Sequence, residues 1–133
     1  MDEHALTLTE LLLIHELLLD HFGGMRGVTE QGFGKLEAAL AASYVSMFGE
    51  DLYPDIPTKM AILFYRIARS HGFSDGNKRV ALVALLDGLD CRGLRIAADQ
   101  DELYEFVMAA ASEATQEAVV AWLLSRLEPG HAR

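Results

Sequence analysis

A single cysteine, Cys91, occurs among the 133 residues. That excludes a disulfide framework and a cysteine metal site. Cys91 falls near the end of an apolar run, where a buried and inert thiol is expected. Positive charge is also scarce. Eleven Lys and Arg stand against twenty Asp and Glu, a formal net charge of −9. Such a chain is repelled by polyphosphate backbones, and no Lys/Arg stripe offsets this, so a nucleic-acid partner is not expected. Long apolar runs are missing as well. Leu11 to Ile14 and Leu17 to Leu19 are split by His15 and Glu16, too short and too polar to span a bilayer. The opening Met1-Asp2-Glu3-His4 is acidic, unlike a signal peptide. No membrane association is expected, and the chain reads as soluble and cytoplasmic. Strand patterns are nearly absent. His4, His15, His21 and His131 lack ligand spacing to one another.

What is present is helix punctuation. Half the residues are hydrophobic, enough for the core of one domain over residues 1–133. Thr7-x-x-Glu10 is a capping box for a helix to about Phe22, ended by Gly23-Gly24. A glycine-punctuated loop runs through Gly34, and a second helix is expected from Lys35 to about Phe48. Residues 49–57 carry two prolines, a glycine and several acids, and read as a loop or short hairpin. Thr58 is expected to cap a third helix through Ser70. Met60, Leu63, Phe64 and Ile67 form one face of it at 3/4 spacing. His71 continues that series and is expected to point toward the core edge. A fourth helix stops at Gly93, with Leu94-Arg95-Ile96 as an extended connector. Asp99-x-x-Glu102 opens a fifth, and Thr115 a sixth running to about Leu127. Trp122, Val119, Leu123 and Leu127 read as a core stripe. The expected class is all-α: a compact bundle of about six helices with a short β-hairpin flap.

The densest chemistry lies in His71-Gly72-Phe73-Ser74-Asp75-Gly76-Asn77-Lys78-Arg79. An imidazole, a carboxylate, a glycine turn, a carboxamide and two cations fall within nine residues. The next seven residues, Val80 to Leu86, carry no polar side chain. A helix apolar all round is buried, so the fourth helix is expected to be the most buried element, with this loop at its start. A helix N-terminus offers unpaired N–H groups and the positive end of the dipole, a ready anion site. Lys78 and Arg79 add full charges there. Local positive charge on an acidic protein points to a small anion. Each residue also has a plain structural reading. His71 can be a structural histidine, although near pH 7 its neutral form can accept a proton from a hydroxyl. Asp75 can be the helix N-cap. Gly76 can be a turn residue, or the point where backbone approaches phosphate. Asn77 can cap or bind phosphate. Phe73 reads as core, and Ser74 is assigned nothing. Arg69 can reach phosphate or lie on a polar helix face, and is left off the site.

The nonapeptide resembles the signature of the Fic/Doc superfamily, His-x-Phe-x-Asp-Gly-Asn-(Gly or Lys)-Arg. Lys78 favours the Doc, or death-on-curing, toxin branch. Fic adenylyltransferases typically carry Gly there and a second Arg three residues beyond the first, where this chain has Leu82. His15 with Phe22-Gly23-Gly24 looks like the first helix of Doc-like proteins, and residues 36–40 like their second. Tyr53-Pro54 before the Lys59 helix resembles their approach to the motif. One departure is Thr29-Glu30, where many relatives have Arg-Asp.

The resemblance implies the Fic/Doc fold and a toxin that transfers phosphate from ATP to a threonine of elongation factor Tu, stopping translation in the bacterial cytoplasm. It implies His71 as general base and Asp75 as the holder of Mg²⁺. Gly76, Asn77, Lys78 and Arg79 would bind the triphosphate. Residues 49–57, which precede the motif and lack a core pattern, are expected to form the target-docking flap. Two alternatives stay open: Fic-type AMP transfer by the same site, and an inactive Fic/Doc binding module. Many Fic proteins restrain themselves with Ser/Thr-x-x-x-Glu-(Gly/Asn). No glutamate here is followed by Gly or Asn. Restraint is therefore expected from a separate, Phd-like antitoxin whose tail folds over the active-site groove.

Overall fold

The computed structural model describes residues 7–42, 46–47, 50–51 and 55–130. Within them lie six helices: α1 (Leu8–Phe22), α2 (Gly32–Ala42), α3 (Ile56–Ser70), α4 (Asn77–Cys91), α5 (Gln100–Ser112) and α6 (Gln116–Ser125). Four short strands accompany them: β1 (Ser46–Met47), β2 (Glu50–Asp51), β3 (Leu94–Ile96) and β4 (Leu127–Pro129). β1 and β2 pair antiparallel, as do β3 and β4. The chain is an all-α bundle with one short hairpin, β1–β2, and a second small antiparallel pair, β3–β4.

The caps explain where the helices start. Both capping boxes form: Glu10 N–H donates to Thr7 Oγ1 (3.1 Å) and Thr7 N–H to Glu10 Oε1 (2.9 Å). The Asp99–Glu102 pair does the same at α5. Thr115 caps α6 through the Ala118 N–H. At α3 the cap is Asp55, not Thr58. Asp55 Oδ1 accepts the Thr58 N–H at 2.8 Å, so the helix begins two residues before Thr58. Pro57 sits in the first turn, where no N–H is required. α2 begins at Gly32 instead of Lys35, and Gly32 packs closely against the motif loop. A Cβ there would lie 2.1 Å from the Gly72 carbonyl oxygen.

α3 is the buried centre. Eight of its residues are buried, against four in α4. The apolar run of α4 predicts the reverse order. Val80, Ala81, Leu85 and Leu89 do enter the core, but Leu86 is exposed and Leu82 faces a cleft. α1 contributes Leu11, His15 and Leu19; α2 contributes Leu36 and Ala39. Phe64, Phe106 and Trp122 stack in a row that joins α3, α5 and α6. α6 ends at Ser125 because Leu127–Pro129 turns into β4 against β3, a pairing not read from the sequence. Cys91 is exposed, contrary to expectation. The expected docking flap, 49–57, lies partly outside the described residues; β2, Asp55 and the start of α3 are described.

Candidate active site

α3 ends at Ser70, and His71 follows with φ 52 and ψ 32. It is the one non-glycine residue with positive φ among the described residues. This left-handed turn takes His71 off the α3 face. Its side chain is exposed in a cleft and does not continue the apolar stripe toward the core. A side chain with a Cβ is disfavoured in that conformation, so neighbouring bonds must hold it. Thr29 Oγ1 donates to the His71 carbonyl (3.1 Å) and also lies 3.2 Å from the Gly72 carbonyl. Gly72 N–H donates to Ser70 Oγ at 3.1 Å.

The loop from 72 to 76 is fixed from three sides. Phe73 is 1% exposed and forms an isolated antiparallel bridge with Val28. The flanking bonds are Thr29 N–H to Gly72 O (2.9 Å) and Ser74 N–H to Gly27 O (3.0 Å). Phe73's own backbone groups bond to Asn77: its N–H donates to Oδ1 and its carbonyl accepts from Nδ2, each at 3.0 Å. The Asn77 carboxamide thus holds the loop closed. On the third side, the His15 ring stacks on Phe73 at 3.9 Å, and His15 Nε2 lies 2.8 Å from the Asp75 carbonyl. A carbonyl only accepts, so Nε2 carries the hydrogen. His15 is 3% exposed. Sequence reasoning missed its role, and the signal was available: a polar residue at the centre of the Leu11–His15–Leu19 buried stripe.

Gly76, at φ 83, is the N-cap of α4, and no side chain caps that helix. Asp75 is therefore not the cap. Its carboxylate turns the other way, and Oδ2 accepts the Met25 N–H at 3.2 Å. A Cβ on Gly24 would stand 2.8 Å from that oxygen, so glycine there admits the carboxylate. The first N–H groups of α4 have no intrahelical partner. His71, Asp75, Gly76, Asn77, Lys78 and Arg79 all line one cleft of about 680 Å³. Leu82 from α4 and Leu103, Tyr104 and Val107 from α5 form its apolar wall. Arg69 turns elsewhere, donating to the Ala110 and Ala114 carbonyls at 3.3 and 3.4 Å. Among the described residues no cluster of three or more His, Cys, Asp or Glu can hold a metal ion. A lone exposed carboxylate fits Mg²⁺ that brings phosphate oxygens and waters as its other ligands.

The model of the Fic/DOC family matches residues 5–87, from the start of α1 through most of α4. The chain belongs to the Fic/Doc family. Two relatives support the Doc branch. Toxin Doc of Mycolicibacterium smegmatis is 40% identical over 80 residues, 60% of this chain and 60% of its own length. Protein kinase doc of Escherichia phage P1 is 30% identical over 118 residues, 89% of this chain and 90% of its own. The family match contains the whole nonapeptide and the α1 and Thr29 segments that brace it.

Proposed function

We propose that this chain is a Doc-type toxin that transfers the γ-phosphate of ATP to a protein hydroxyl, a threonine of elongation factor Tu, and so arrests translation in the bacterial cytoplasm. One observation carries the reading: His71, Asp75, Lys78 and Arg79 share a cleft with an uncapped helix N-terminus. That arrangement suits a polyphosphate beside a base. The name of the phage relative, a protein kinase, favours phosphate transfer over AMP transfer.

In this mechanism Lys78, Arg79 and the first N–H groups of α4 hold the phosphates of ATP. Asn77 acts by keeping the loop closed, since both ends of its amide bond to Phe73. His71, held at the cleft by Thr29, takes the proton of the incoming hydroxyl as the new oxygen–phosphorus bond forms. The bond between the γ-phosphorus and its bridging oxygen breaks, and ADP leaves. Asp75 would hold Mg²⁺, and the ion would supply neutralisation of the phosphate charge. Positioning and charge stabilisation supply most of the catalysis.

Restraint by a separate, Phd-like antitoxin belongs to the same proposal, because the internal inhibitory glutamate motif is absent from the sequence. A tail that folds into a helix over the cleft would block the hydroxyl's approach. The deciding experiment incubates the protein and elongation factor Tu with ATP labelled at either phosphate. Label on the target from the γ-position supports the proposal. Label from the α-position makes the protein a nucleotidyltransferase. No label from either refutes transfer to this target. Equal bacterial growth with and without the neighbouring gene, in cells expressing the chain, would refute restraint by an antitoxin.

A further inference from the structure

The last residue of α1, Phe22, has no place in the core. Its side chain is 59% exposed, whereas α1 buries Leu11, His15 and Leu19. The Arg79 guanidinium carbon instead lies 4.5 Å from the centroid of the Phe22 ring. The His21 ring packs edge-on against Phe22 at 4.5 Å and 84°, which steadies its orientation. Arg79 is exposed, and a free arginine samples many rotamers. A guanidinium over a ring is held by its face, through attraction to the ring quadrupole. Its hydrogen-bond donors lie in the plane of the group, at its edge. With its guanidinium carbon held over the Phe22 ring, Arg79 has fewer directions in which its donors can point, and those that reach phosphate oxygens from the ring side are favoured.

The segment after Phe22 is itself fixed to the site. Gly23 N–H returns to the Leu19 carbonyl at 2.7 Å, and Met25 N–H holds the Asp75 carboxylate at 3.2 Å. Arg26 ties the elbow back to α1 through Glu16 and Asp20. One short turn thus touches both the carboxylate and the arginine of the site.

We infer that Phe22 is a positioning residue, which aims Arg79 into the cleft for its phosphate ligand. This rests on the phosphate-transfer reading above. The test measures ATP–Mg²⁺ affinity by calorimetry and the KM and kcat of transfer for Phe22→Ala, Phe22→Tyr, Arg79→Ala and the Phe22→Ala/Arg79→Ala double variant. Circular dichroism should show Phe22→Ala folded, because the ring leaves no core cavity. Affinity should fall about three- to tenfold in Phe22→Ala, in line with a partly exposed cation–π contact. Phe22→Tyr should restore it. On the Arg79→Ala background the Phe22→Ala change should have no further effect. Wild-type affinity and KM in folded Phe22→Ala would overturn the inference alone. So would an equal loss on the Arg79→Ala background, since Phe22 would then act without Arg79. A wild-type protein with no affinity for ATP–Mg²⁺ would overturn the functional reading, and this inference with it.

Discussion

Replacing Asn77 with alanine should destabilise the protein before it affects any ligand. The Asn77 carboxamide makes two 3.0 Å bonds, one to each backbone polar group of Phe73. The bonds to the segment around Val28 cannot substitute, because they are made by Gly72, Thr29, Ser74 and Gly27. Phe73 is 1% exposed, so water reaches its orphaned groups poorly. A lost bond costs about 1 kcal/mol net, and an unsatisfied buried group about 1–3 kcal/mol. Asn77→Ala should therefore lose about 2–4 kcal/mol. For a domain of this size that lowers Tm by roughly 8–15 °C. Asn77→Asp should not rescue it. The acid keeps the acceptor for Phe73 N–H but sets an oxygen against the Phe73 carbonyl. Urea unfolding with an unchanged m-value is the assay. An alanine variant within about 0.5 kcal/mol of wild type, with weakened nucleotide binding, would refute this reasoning and make Asn77 a phosphate ligand in its own right.

Other substitutions probe the remaining parts. Gly32→Ala places a Cβ 2.1 Å from both the Gly72 oxygen and Val28 Cγ1, and should cost more than about 2 kcal/mol in urea unfolding; a neutral result would mean that the α2–motif packing is looser than described. Lys78→Ala and Arg79→Ala should each weaken ATP–Mg²⁺ binding by about 1–3 kcal/mol in calorimetric titration, and unchanged affinity in both would remove the phosphate cradle. The Glu102 carboxyl is held below its ordinary 4.5 by the Asp99 N–H it accepts, and next by Arg126. Its folded value is lowered, so its contribution to stability is present above the ordinary glutamate range and lost as pH falls through the lowered value. The stability gap between wild type and Glu102→Gln should shrink as pH falls below the ordinary glutamate range; a gap independent of pH would contradict the assignment.

The helices and the motif were legible because both are local. Thr7–Glu10 and Asp99–Glu102 signal their helices within four residues, and both boxes form as read. The nonapeptide gathers its chemistry within nine residues, and the fold keeps those side chains on one cleft. What the sequence hid depends on distant partners. β4 exists because residues 127–129 meet 94–96, far back along the chain. Position 32 needs glycine because the Gly72 carbonyl lies against it. His71 faces the cleft because α3 breaks into a left-handed turn at that residue, which a periodicity extended from Ile67 cannot show. Thr29 donates to the His71 carbonyl across 42 positions, a contact that no local pattern announces. The part His15 plays was hidden for the same reason, since its partners Phe73 and Asp75 lie far along the chain.

The central claim is that His71 acts as the base of a phosphoryl transfer. Its most direct test is the single-turnover rate of γ-phosphate transfer by wild type and His71→Ala, both checked for fold by circular dichroism. A rate lower by about 10²–10⁴ in a folded variant, with ATP–Mg²⁺ affinity retained, is the expected result. A folded His71→Ala protein that transfers phosphate at the wild-type rate would contradict it.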